Sequence, residues 1–172
     1  MAAALIVAAC GEATAQRISA RDSFLVYEIP AEFTALDDDG ATSVQYYGVA
    51  GSTVGSFGTD PVLSVLSGPG GESESYTSLR SLSVGGRFDP LDTEDPASTE
   101  SVEIINYVEI SEPEVWGVRV QLLVDAGVSD FQALVDRRSD QITVTEMRCT
   151  HACFAEQVDL IDRIQRSWSI DP

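Results

Sequence analysis

Four stretches in the second half of the chain alternate apolar and polar residues, and this alternation limits the fold more than any other feature. Val102–Ile110 places Val102, Ile104, Val108 and Ile110 on one side, and Trp116–Val124 places Val118, Val120, Leu122 and Val124 on one face. Phe131–Val135 and Gln141–Met147 flank Asp136-Arg137-Arg138-Ser139-Asp140, which reads as a hairpin turn. A period of two is that of a β-strand with one side buried. Short turns between consecutive strands require antiparallel pairing, because parallel neighbours need a long crossover. The chain then changes period. From about Phe154 to Ser167, the residues Phe154, Val158, Ile161, Ile164 and Trp168 recur at helical spacing. Asp159 with Arg163 and Asp162 with Arg166 are i,i+4 pairs with the acid first, each worth only tenths of a kcal/mol. Such a helix is held mainly by packing its stripe on a sheet. The pattern predicts an α+β fold, an antiparallel sheet of about six or seven strands packed against a C-terminal amphipathic helix.

The first half is less regular. Ser23–Pro30 reads as a strand closed by proline, Asp37-Asp38-Asp39-Gly40 as a turn, and Ser43–Val49 as the second strand of a hairpin. Gly51–Asp60 is a Gly/Ser/Thr loop, Val62–Leu66 a short buried strand and Ser67–Ser75 a further loop. Tyr76–Val84 suits a short helix, and Arg87–Ser101 an exposed acidic loop. No internal repeat is visible.

The segment Phe24-Leu25-Val26-Tyr27-Glu28-Ile29-Pro30-Ala31-Glu32-Phe33, followed by Val44-Gln45-Tyr46-Tyr47, is similar to the opening hairpin of PsbP/Mog1-like domains. The closing helix, ending in Ser167-Trp168-Ser169-Ile170, also resembles theirs. The resemblance covers both ends of the chain and not its middle. It implies an α/β/α arrangement and a binding or assembly role, and it supplies no catalytic residues, since that family shares none.

The chain opens Met1-Ala2-Ala3-Ala4-Leu5-Ile6-Val7-Ala8-Ala9-Cys10-Gly11. This apolar run is much shorter than the roughly 20 residues that span a bilayer. Its end, Val7-Ala8-Ala9-Cys10, resembles the lipobox of bacterial lipoprotein signal peptides, in which small residues admit the protease. The resemblance implies cleavage before Cys10, acylation of that cysteine (palmitate being the usual kind of chain) and a lipid anchor at the outer face of the cell membrane. Stable anchoring takes more than one chain. No Arg or Lys precedes Cys10, so a basic leader is expected to be missing from this start. The expected organisation is residues 1–9 as signal peptide, 10–22 as lipidated cysteine and tether, and 23–172 as one domain. The 163 residues left after cleavage (172 − 9) suffice for one core.

Charge and composition exclude several functions. With 28 acids against 10 bases the net charge is −18, a surface that repels nucleic-acid phosphates and anionic lipid heads. Every basic residue is Arg, and the lone Asn is Asn106, which resembles the codon bias of a high-GC bacterium, an actinobacterium being the first expectation. Without Lys there is neither a P-loop of the usual form nor a Schiff-base amine. His151 is the lone histidine, so any imidazole mechanism must run through it.

Three cysteines remain to be assigned. With Cys10 lipidated, Cys149 and Cys153 are a pair, and in an oxidising compartment the default for such a pair is a disulfide. Cys149-Thr150-His151-Ala152-Cys153 lies where a strand gives way to a helix, and two other readings compete there. Cys149, His151 and Cys153 could hold Cu(I) or Zn(II), as the similar stretch of Sco-type copper proteins does. Alternatively the pair is a redox dithiol, its pKa lowered by the helix N-terminus. The acidic run Asp89–Asp95 lacks the alternate ligands and central glycine of a calcium loop. Gly51, Gly55 and Gly58 without Lys read as a flexible connection rather than a phosphate cradle. No Gly-x-Ser-x-Gly elbow occurs. The expectation is a non-catalytic envelope lipoprotein without cofactor, binding a protein or small ligand, with copper or thiol handling through Cys149, His151 and Cys153 as the alternative.

Overall fold

Antiparallel pairing of neighbours in sequence builds most of the molecule. The computed structural model describes residues 15–19, 25–36, 44–69 and 102–170. Within them lie β1 (Ala15–Ser19), β2 (Leu25–Pro30), β3 (Phe33–Leu36), β4 (Gln45–Val49), β5 (Val62–Pro69), β6 (Glu103–Ser111), β7 (Val115–Val124), β8 (Gly127–Asp136), β9 (Gln141–Cys149), α1 (His151–Arg166) and β10 (Ser169–Ile170). Seven strands form one antiparallel sheet in the order β3-β4-β5-β9-β8-β7-β6, and β1-β2-β10 form a second, small sheet. The helix packs on β8 and β9 of the large sheet and on β2 of the small one.

The four strands and the helix expected in the second half are present, and two strands, β8 and β5, run longer than expected. The run β6–β7–β8–β9 is a meander, and Asp136–Asp140 makes its last turn. There Asp136 accepts from the Arg138 amide at 2.8 Å and from Ser139 Oγ at 2.8 Å, while Asp140 takes a left-handed φ of 52°. Strand β8 is twice the length expected because Ser129 and Asp130, polar residues that are nonetheless buried, belong to its first half. Strand β5 runs on through Ser67-Gly68-Pro69, read as loop, because those residues pair with Gln141–Thr143 of β9.

Other expectations are corrected. The strand Ser43–Val49 does not pair with Ser23–Pro30: β4 pairs with β3, whereas β2 leaves for the small sheet. Phe33–Leu36 follows the proline too closely to have been separated from β2 by pattern alone. Ala15–Ser19, in the stretch read as tether, is the strand β1 beside β2. In β6 the register shifts between Ile104 and Asn106, and a bulge residue reverses which side later side chains face. Tyr107 therefore joins Ile104 on one cluster, Ile110 packs on another, and Val108 stays exposed. On α1 the buried positions are Cys153, Ile161, Ile164 and Gln165, and Val158 is exposed. Of the two expected ion pairs only Asp162–Arg166 is made, at 2.9 Å. The expected turn at Asp37–Gly40, the helix at Tyr76–Val84 and the acidic loop at Arg87–Ser101 lie outside the described residues.

The core sits on both faces of the large sheet. Under the helix, Leu63 and Val65 of β5 and Met147 of β9 meet Ile161 and Ile164, with Ile29 and Phe33 closing the side. Beside it, Leu25 and Tyr27 of β2 pack on Val115 and Leu134. On the opposite face Val118, Val120, Phe131, Ala133 and Val135 form a third cluster, buried like the other two. Gly117 allows β7 and β8 to approach: a Cβ there would collide with the carbonyl of Ala133.

Candidate functional site

Polar chemistry concentrates in three places, the first being the interface between α1 and the sheet. Arg119 alternates with Val118 and Val120 and so points to the helix side of β7, where it is 6% exposed. Its Nε and Nη2 donate to the two oxygens of Asp130 at 2.8 and 2.7 Å, and its Nη1 reaches Asp162 of the helix at 2.6 Å. Gln121 adds a third donor to Asp130 at 2.6 Å. Deeper in, Gln165 donates to the Asp130 carbonyl and accepts from Thr145 Oγ1, both at 2.8 Å. Gln132 donates to the Gln165 carbonyl at 2.9 Å and accepts from the Tyr27 hydroxyl at 3.2 Å. One connected network thus ties β2, β7, β8, β9 and α1 together. Burial pushes the Tyr27 phenol well above the usual tyrosine range. For Arg119 burial works against the charge, but the bonds to Asp130 and Asp162 outweigh it and its pKa is raised. For Asp162 burial works upward, and the bonds from Arg119 and then Arg166 hold its carboxyl below the usual range. These bonds join the helix to the sheet and orient it.

The second place is the cysteine corner. Cys149 ends β9, Thr150 caps α1 by accepting from the Cys153 amide at 3.3 Å, and the helix begins at His151, three residues before the periodicity indicates. Cys149 and Cys153 are both buried side by side, their Cα atoms 5.8 Å apart, a separation that suits a disulfide. His151 is not brought to them: it is exposed, and its Nε2 lies 2.8 Å from the Val124 carbonyl. Among the described residues no three potential metal ligands converge. The Thr150 amide donates to the Gly58 carbonyl at 2.9 Å, fixing the glycine loop against the corner. Arg148 lies over the Phe57 ring, 5.9 Å from its centroid, and donates to Glu146 at 2.6 Å. Glu146 also accepts from Ser129. Glu146 and Arg148, with Tyr46, Ser56, Val62 and Ser64, wall a pocket of about 70 Å3, room for a few waters.

The third place is larger. Glu112, Pro113 and Glu114 of the β6–β7 turn face Val115, Trp168 and Ile170 across an open hollow of about 520 Å3. The turn is closed by the Glu112 amide bonding the Val115 carbonyl at 2.8 Å, and it is tied to the next turn by the Arg137 amide on the Glu114 carbonyl at 2.9 Å. Trp168 and Ile170 pack on the cluster of Leu25, Tyr27, Val115 and Leu134, so the floor of the hollow is the outer surface of a core cluster.

Of the residues singled out by sequence, the structure brings Cys149 and Cys153 together and turns His151 elsewhere, and Cys10 lies outside the described residues. The polar network and the open hollow were missed. One signal was present, an Arg placed inside a strongly alternating strand with a Gln beside Ile164 on the apolar side of the helix.

No protein-family model matches the chain, and neither does any curated protein. Solved structures do. A solution structure of cyanobacterial PsbP (CyanoP) from Synechocystis sp. PCC 6803 superposes with a TM-score of 0.58 at 19% identity, covering 94% of this chain and 95% of that one. The chain has a PsbP-like fold. A Pseudomonas aeruginosa protein of unknown function, PA94, superposes with a TM-score of 0.51 at 9% identity, covering 92% of this chain and 98% of that one.

Proposed function

We propose that this protein is a bacterial envelope lipoprotein, of actinobacterial type, held by lipid on Cys10 at the outer face of the cell membrane, where its PsbP-like domain binds a protein or small ligand without catalysis. The observation that carries the reading is the partition of the three cysteines. Cys149 and Cys153 are buried against each other at a separation that suits a bridge, which supports Cys10, at the end of the lipobox-like run, as the cysteine that is acylated. A bridge of this kind suits an exported chain. The non-catalytic part is supported by the matched polar network under α1 and by His151 being held to a carbonyl. Copper handling through all three residues finds less support, because His151 is turned away from Cys149 and Cys153 toward the Val124 carbonyl.

The test is acylation in the native host. Metabolic labelling with an alkynyl palmitate is expected to mark the wild-type protein in the membrane fraction. The Cys10→Ala variant is expected to carry no label and to leave the membrane. Equal labelling of both, or soluble wild type without label, would overturn the anchor. Cross-linked partners recovered from detergent-solubilised membranes test the binding role separately.

A further inference from the structure

The hollow at Trp168 has a chemistry of its own. Its floor is apolar: Val115 is fully buried, and Trp168 and Ile170 rest on the same cluster, so the depression is preformed and firmly backed. Its rim is acidic. Glu112 is exposed, and Glu114, 43% exposed, already holds one guanidinium, that of Arg138. Its volume of about 520 Å3 falls within the range of ligand sites. An indole beside carboxylates suits a cation carried on an alkyl stem: the ring attracts the charge through its quadrupole, the stem covers apolar surface, and the carboxylates neutralise the head. A net charge of −18 draws cationic partners toward the protein and repels anionic ones.

We propose that this hollow docks an arginine- or lysine-bearing segment of a partner protein, with the cationic head between Glu112 and Glu114 and a neighbouring apolar side chain on Trp168 and Ile170. The proposal deepens the binding role above and rests on it, but not on the lipid anchor. The Glu114–Arg138 pair shows within the chain itself what the rim accepts.

The experiment uses the full chain as Cys10→Ala, so that no detergent is needed, with its two tryptophans labelled for indole 1H–15N spectra. The probe is the capped peptide acetyl-Leu-Arg-Leu-Arg-amide, with acetyl-Leu-Glu-Leu-Glu-amide as its opposite. The basic peptide is expected to move the Trp168 indole resonance and leave that of Trp116, on the far side of the sheet, in place. Raising salt is expected to weaken it, and Glu112→Gln and Glu112→Gln/Glu114→Gln to weaken it by about threefold for each carboxylate removed. These two positions are at the surface, so both variants are expected to fold. An unmoved Trp168 resonance, equal effects of the acidic peptide, or indifference to the Glu→Gln changes would each overturn the proposal. Tight binding of tetramethylammonium, with no response to the peptide, would do so too by making the hollow a small-amine site. Partners captured from membranes whose binding ignores Glu112→Gln would leave the general binding role standing while this assignment falls.

Discussion

Asp130 is the residue on which the helix-facing polar network turns, and replacing it with Asn tests that network without changing shape. Asp130 is fully buried and accepts three side-chain bonds, two from Arg119 and one from Gln121. An amide keeps one acceptor oxygen, but its nitrogen can only donate. Placed at Oδ2, it would confront Arg119 Nη2 and Gln121 Nε2, now 2.7 and 2.6 Å from that oxygen. Arg119, 6% exposed, would keep its charge with only the half-solvated Asp162 as counter-ion. Removing one partner of a buried pair costs about 3–5 kcal/mol, a large share of the roughly 5–15 kcal/mol that holds a domain folded. Removing both charges is cheaper because no buried charge is left alone, so Arg119→Met/Asp130→Leu is expected to lie nearer wild type than Asp130→Asn. Urea unfolding followed by circular dichroism at neutral pH measures all three. A cost below about 1 kcal/mol for Asp130→Asn, or a double variant no more stable than the single one, would refute the reasoning.

Three other outcomes are expected. Asp162 is held below its ordinary pKa, so its contribution to stability is complete above about pH 4 and is lost as pH falls through the depressed folded value; acid unfolding curves of Asp162→Asn should lack that loss in this window and match wild type in slope elsewhere. Reducing Cys149–Cys153 opens a very short loop, for which chain entropy gives about 2 kcal/mol, so the protein should stay folded with a lower urea midpoint in reductant, and Cys149→Ala/Cys153→Ala should match it. Gly117→Ala should lose about 1–3 kcal/mol or more because its methyl meets the Ala133 carbonyl, whereas Gly68→Ala, with no atom within 4 Å, should stay within about 0.5 kcal/mol of wild type by the same measurement.

The parts of this fold that could be read from sequence are those where one face of an element meets core and the other meets water. Strand β7 and the Asp136–Asp140 turn belong there, as does the helix stripe through Ile161 and Ile164. Reading failed where burial was polar. All ten residues of β8 are buried, and Asp130 and Gln132 conceal it because their partners, Arg119 on the neighbouring strand and Gln165 on the helix, meet them only in the folded sheet. It failed again where pairing skipped a neighbour: nothing local to Leu25–Pro30 says that its partners are Ala15–Ser19 and Ser169–Ile170. The cysteine corner was legible because a strand end, a capping threonine and the first helical turn place residues i and i+4 side by side. The hollow at Trp168 was not, since it is assembled from a turn and a C-terminal strand that meet only in three dimensions.

The division of labour among the sulfurs is what the functional account stands on, and intact-mass analysis of protein isolated from the envelope of its native host reads it in one spectrum. The predicted species begins at Cys10, is heavier by its acyl groups, and has the Cys149 and Cys153 side chains together lighter by two hydrogens. A species that retains residues 1–9, carries no fatty chains and has all three thiols free would contradict the account.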